Sequence, residues 1–186
     1  MSTDERGPIL LAIARAAISS ALGGHPLQAD ESPPWLQEPG ATFVTLTKQG
    51  ELRGCIGSLE AHRPLLADVK ANALAAAFRD TRFSPLGEDE LDNVRVEVSL
   101  LSPLSPITFV SEQDALRQLR PNVDGIVFEY GAYRSTFLPQ VWEQLPEPAE
   151  FMAHLKYKAG LSPGFWAEEV KLFRYSVSKW KEQKPS

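Results

Sequence analysis

A chain of 186 residues, 43% hydrophobic and 23% charged, has the composition of a globular protein and the length of one domain rather than two. A formal net charge of -5 leaves no basic excess to neutralise phosphates, so nucleic acid is set aside as a partner. The single cysteine, Cys55, cannot close an internal disulfide, and no export leader or apolar run of membrane-spanning length is seen, so the expected setting is cytoplasmic with no membrane partner.

After Pro8, the residues Ile9, Leu10, Ile13, Ala16 and Ala17 recur at three- and four-residue steps. This spacing predicts a helix with one apolar stripe, opened by the proline and ended by Gly23-Gly24. Pro26, Pro33, Pro34 and Pro39 surround Trp35 and argue for an irregular wrap. Phe43 to Thr47 and Glu51 to Gly57, joined by Gln49-Gly50, read as a hairpin. Pro64 then opens a helix with an apolar face of Leu65, Leu66, Val69, Ala73, Leu74, Ala77 and Phe78.

Val94, Val96, Val98 and Leu100 alternate with Arg95, Glu97 and Ser99, as a strand with two unlike faces should. Ser102 to Pro106 reads as a linker, and Ser111 with Asp114 as the capped start of a short helix ending by Pro121. The pattern then repeats: Gly125 to Tyr130 and Tyr133 to Leu138 extended around Gly131, a helix from about Ala149 to Ala159, and an extended Val170 to Trp180. Aligning the turn glycines sets Gly131 on Gly50, Arg134 on Arg53 and Thr136 on Cys55.

The expected fold class is α+β: two duplicated hairpin-helix-strand units forming largely antiparallel sheets flanked by helices, with a cleft between the two parts. Residues 1–186 form a single domain in this reading, with 1–102 as the first unit and 103–186 as the second. The cleft is the expected place for a small-molecule or peptide ligand.

In an extended chain, residues two apart share a face, which puts Arg53 beside Cys55. A fixed positive charge favours the thiolate, the reactive form of cysteine, so the pair is a candidate nucleophile or anion-binding spot. Gly54 and Gly57 add backbone that a substrate can approach closely. Against this stands the free cysteine as a small buried hydrophobe, with Arg53 in an ion pair. Glu97 is the candidate acid or base, the alternative being a salt bridge to Arg53 or Arg95. Arg134 and Thr136 are the matching polar pair on the second hairpin. His25, His62 and His154 are scattered, so no metal site is expected, and no phosphate loop, nucleophile elbow or dinucleotide fingerprint suggests a cofactor.

Five stretches resemble the AMMECR-one domain family, protein A of the AmmeMemoRadiSam system. They are Gly50-Glu51-Leu52-Arg53-Gly54-Cys55-Ile56-Gly57, Asp80-Thr81-Arg82-Phe83-Ser84-Pro85-Leu86, Val96-Glu97-Val98-Ser99-Leu100-Leu101, Thr136-Phe137-Leu138-Pro139-Gln140-Val141-Trp142 and Lys158-Ala159-Gly160-Leu161. The resemblance runs from about Phe43 to Trp180 and implies the two-part α+β fold. It also implies the company of a Memo-like protein and a radical SAM protein, in a pathway of small-molecule or nucleic-acid modification. Some relatives carry a cysteine where this chain has Lys156, so a two-cysteine scheme is not open to it. On this basis Cys55, Arg53 and Glu97 are the expected catalytic set of an enzyme or enzyme subunit, with Thr136 and Gln140 orienting substrate. The alternative is a noncatalytic ligand- or protein-binding module with a structural Cys55.

Overall fold

The computed structural model describes residues 3–24 and 27–183, so His25 and Pro26 lie outside the described residues. The chain divides into two compact units. The first comprises residues 1–101 together with 178–186, and the second residues 102–177.

In the first unit, α1 (Thr3–Ala21) begins five residues before Pro8, which lies inside the helix rather than opening it. A 3-10 turn, Pro34–Gln37, gives the proline-rich wrap a buried anchor at Leu36. The strands β1 (Ala41–Lys48) and β2 (Glu51–Gly57) form the hairpin, followed by α2 (Leu65–Phe78), a 3-10 turn at Glu88–Asn93 and β3 (Val94–Leu101). Gln49 and Gly50 both have positive φ, the geometry a two-residue hairpin turn requires.

The second unit holds a two-residue strand β4 (Ser105–Pro106), the helix α3 (Glu112–Gln118), the hairpin β5 (Gly125–Tyr130) and β6 (Tyr133–Phe137), α4 (Pro148–Lys158) and β7 (Lys171–Tyr175). Ser111 caps α3, its hydroxyl accepting from the Asp114 amide at 3.1 Å, as the sequence predicts. The extended segment expected from Val170 to Trp180 is broken at Ser176, and its second half, β8 (Val177–Lys181), joins the sheet of the first unit.

The two sheets have the same plan. One runs β2-β1-β3-β8 and the other, read from its far edge, β6-β5-β7-β4. In each, the hairpin's first strand is central, its second strand is an edge, the strand after the helix lies on the other side, and a fourth strand closes the order. All the registered pairs are antiparallel. The duplicated hairpin-helix-strand unit is therefore present in the folded chain, as the α+β reading requires.

Strand alternation sets the faces. Val44, Leu46, Val94, Val96 and Val98 are buried and form one core with Leu10, Ile13 and Ile18 of α1 and Val69, Ala73 and Ala76 of α2. Ile126, Phe128 and Leu172 do the same in the second unit with Phe151, Met152 and Leu155 of α4, where Trp142 stacks on Phe151 at 3.8 Å. The intervening residues, Thr45, Cys55 and Glu97 among them, lie on the faces opposite these helices.

Candidate functional site

Register brings Cys55 to a particular neighbour. Thr45 pairs with Cys55 on one side and with Glu97 on the other, so the three side chains form a row across β2, β1 and β3 on the face of the first unit opposite α1 and α2. Thr45 Oγ1 and Cys55 Sγ are 3.2 Å apart. Cys55 is half-buried. Glu97 lies two strand spacings away, about 10 Å from the sulfur's strand, so it is not in direct contact with the thiol.

Arg53 is not beside the thiol. Leu46 pairs with Gly54 and Thr47 with Leu52, which leaves Arg53 as an extra residue, a β-bulge that breaks the alternation. Its guanidinium forks Glu90, with Nε to Oε2 and Nη2 to Oε1 both at 3.0 Å, and Lys48 Nζ joins the same carboxylate at 3.1 Å. The Arg53 hydrogen bonds, then that of the Gly87 amide, hold the Glu90 pKa down to about 2 from its ordinary 4.5.

The guanidinium near Cys55 belongs to Arg82. Because Gly54 and Ile56 are the residues that bond to β1, the amide and carbonyl of Cys55 point outward from the sheet edge. Asp80 Oδ2 accepts from the Cys55 amide at 3.0 Å, and Arg82 Nη2 donates to the Cys55 carbonyl at 3.4 Å. Arg82 also forks Asp80, with Nε to Oδ1 at 3.0 Å and Nη2 to Oδ2 at 2.6 Å. The bonds from Arg82, then the Cys55 amide, hold the carboxyl of Asp80 far below the usual carboxylate range. The Arg82 pKa is raised, chiefly by its hydrogen bond to Asp80 and further by the charge of Asp80.

At the other end of the row, Lys179 and Lys181 of β8 approach Glu97 Oε1 at 3.4 and 3.9 Å. That oxygen is shielded from solvent and receives no aligned hydrogen bond. It therefore retains accepting capacity in a cationic setting.

The two glycines have steric roles. A Cβ at Gly54 would overlap the Ala76 carbonyl oxygen of α2, so glycine lets the helix backbone rest on β2. A Cβ at Gly57 would overlap the Phe43 ring.

The remaining expected residues are in the second unit. Thr136 occupies the register position equivalent to Cys55, opposite Val127, but its hydroxyl is 2.9 Å from the hydroxyl of buried Tyr175. Arg134 is opposite Glu129 and pairs with it at 3.2 Å, a position equivalent to Leu52 rather than Arg53. Gln140 is exposed in the 3-10 turn Pro139–Glu143. Lys156 is fully buried, donating to Glu112 at 3.1 Å and to the Phe165 carbonyl at 2.8 Å.

Sequence reading alone missed Thr45, Asp80, Arg82, Lys179 and Lys181. Asp80 and Arg82 did carry a signal: an acid and an arginine two apart, just past a helix end, in one of the stretches that bears the family resemblance. A sequence profile of the AMMECR1 family matches residues 11–180. The chain belongs to the AMMECR1 family. Among members it is 37% identical over 187 residues to Protein MJ0810 of Methanocaldococcus jannaschii, covering 98% of this chain and 93% of that one. With Protein PH0010 of Pyrococcus horikoshii the identity is 36% over 196 residues. The crystal structure of PH0010, described as an uncharacterized protein, superposes on the AMMECR1 fold of this chain with a TM-score of 0.76, covering 97% of this chain and 93% of that one at 34% identity. Among the described residues, no helix is long and apolar enough to cross a membrane.

Proposed function

We propose that the row Cys55–Thr45–Glu97 is the working site of an enzyme or enzyme subunit, with Cys55 as the nucleophile or reactive thiol that faces a small-molecule substrate. The observation that carries this reading is the placement of the sulfur. Cys55 is half-buried on the face opposite α1 and α2, its sulfur is 3.2 Å from the Thr45 hydroxyl, and its carbonyl accepts from the Arg82 guanidinium at 3.4 Å. A polar neighbour and a nearby cation suit a reacting thiolate better than a thiol packed as a hydrophobe. Glu97, about two strand spacings away, takes the role of acceptor for an N–H or O–H group at the far end of the substrate. Arg53 acts through Glu90 to hold the hairpin's bulge, and Lys179 and Lys181 flank Glu97 at the far end of the row.

Complementation of a deletion strain tests this, in a host that also carries the Memo-like and radical SAM proteins the family resemblance implies. Cys55→Ser and Cys55→Ala are expected to fold and to lose function. Full function in a folded Cys55→Ala variant would leave a noncatalytic binding module with a packed thiol. A second readout is chemical: Cys55 should be alkylated by iodoacetamide at pH 7 faster than free cysteine.

A further inference from the structure

We infer that Asp80 and Arg82 form a positioning clamp for Cys55, acting through its backbone to hold the sulfur against Thr45. This rests on the reading of Cys55 as the reacting group. The clamp is a closed circuit: Asp80 takes the Cys55 amide, Arg82 donates to the Cys55 carbonyl, and Arg82 forks Asp80. Both outward backbone groups of one residue on an edge strand are thus engaged by a single ion pair.

The second unit shows what the fold needs at this place without a thiol. There Thr136 stands in the equivalent register position, and among the described residues Lys158 donates to its carbonyl, at 2.8 Å. One cation capping the outward carbonyl serves the edge strand in that copy. The first unit adds to the cation an aspartate that is 4% exposed in its side chain and bonded to the Cys55 amide. That addition fixes the peptide units on both sides of Cys55, and hence the direction of its Cα–Cβ bond. The sulfur then has one well-defined neighbour in Thr45.

Two neutral alkylating reagents of different size test the clamp on the full-length chain: iodoacetamide and N-phenylmaleimide. The ratio of their rates cancels the fraction of thiolate and reads how tightly the sulfur is held. Arg82→Gln and Asp80→Asn are each expected to raise the bulky-to-small rate ratio about fivefold or more, since a released strand edge lets the sulfur turn outward. Arg82→Lys keeps the charge but cannot fork Asp80, and should raise the ratio about twofold or more. Lys158→Ala, the edge cap of the other unit, should leave the ratio unchanged. An unchanged ratio in Arg82→Lys together with either other folded variant overturns the clamp; should Asp80→Asn fail to fold, the two arginine variants decide. If Cys55→Ser retains function while the clamp variants shift the ratio, the catalytic reading falls and the clamp stands.

Discussion

Thr45 faces Cys55 only because Arg53 is an extra residue in the hairpin. The turn alone, with Lys48 opposite Glu51, would count back to Val44 opposite Cys55. The bulge moves the pairing by one place, so the sulfur meets a hydroxyl instead of a core valine. The hairpin of the second unit pairs without a shift from Tyr130–Tyr133 to Ile126–Phe137. The bulge is thus a feature of the copy that carries the cysteine.

Thr45→Val should therefore change reactivity more than stability. It keeps the shape, removes one part-buried hydrogen bond, and should cost about 1 kcal/mol. Alkylation of Cys55 by iodoacetamide should slow about threefold or more, because the hydroxyl no longer donates to the thiolate. Thr45→Ser should recover most of the rate. Equal rates in wild type and Thr45→Val would show that the hydroxyl does not assist the sulfur.

The glycines at 54 and 57 should behave differently when replaced. Gly54→Ala sets a methyl against the backbone oxygen of Ala76, which only a displacement of α2 relieves, so a loss of about 2–3 kcal/mol is expected in urea unfolding. Gly57→Ala meets the Phe43 ring first, a side chain rather than a backbone. Adding Phe43→Leu should restore part of the stability lost at Gly57 and none of that lost at Gly54. Rescue of both variants by Phe43→Leu would contradict the helix contact.

The acid limb of stability should report Glu90. Its pKa is about 2 in the folded chain and near 4.5 when the chain unfolds, so the unfolded state binds more protons between those values. The stabilisation is therefore complete above about pH 4.5 and is lost as pH falls toward 2. Glu90→Gln should be less stable at pH 7 and should flatten the decline in this window, measured by urea midpoints from pH 6 to 2.5. Asp80, also held low, contributes in the same direction. An identical pH slope in the two proteins would refute the assignment to Glu90.

Much of the fold was legible because periodicity and turn chemistry agree locally. The alternation from Val94 to Leu100, the stripe after Pro64 and the Gln49-Gly50 turn each name their element, and each is found. Ser105–Pro106 was not legible as a strand, since two residues carry no period and their pairing with β7 is set by tertiary contact. The split of the C-terminal segment was hidden for a similar reason: β7 and β8 are both extended, and only the sheet each joins distinguishes them. At the site, Cys55 and Glu97 could be picked by residue type, but their neighbours could not. Strict alternation sets Arg53 beside the thiol, but a bulge suspends it, and Asp80 and Arg82 reach Cys55 from 25 or more residues along the chain.

Lys156 offers a test of how a buried charge is accommodated in the second unit. Its ammonium is enclosed by the Glu112 carboxylate, the Phe165 carbonyl and the Trp166 ring, whose centroid is 5.7 Å away. Lys156→Met removes the charge, keeps most of the volume, and leaves Glu112 free to turn toward water, so its cost should be about 1–2 kcal/mol, mainly for the unpaired carbonyl. Glu112→Ala instead strands the ammonium in the interior with only a carbonyl and an indole for company, and should cost about 3 kcal/mol or more. The order follows from burial: the Lys156 side chain is 2% exposed and that of Glu112 33%, so only the acid can recover its hydration when the pair is broken. Urea unfolding of the two single variants and the double variant gives the comparison. In Glu112→Ala/Lys156→Met no charge is stranded, so the double variant should be more stable than Glu112→Ala alone; the reverse order would mean that the ammonium is hydrated in the native state.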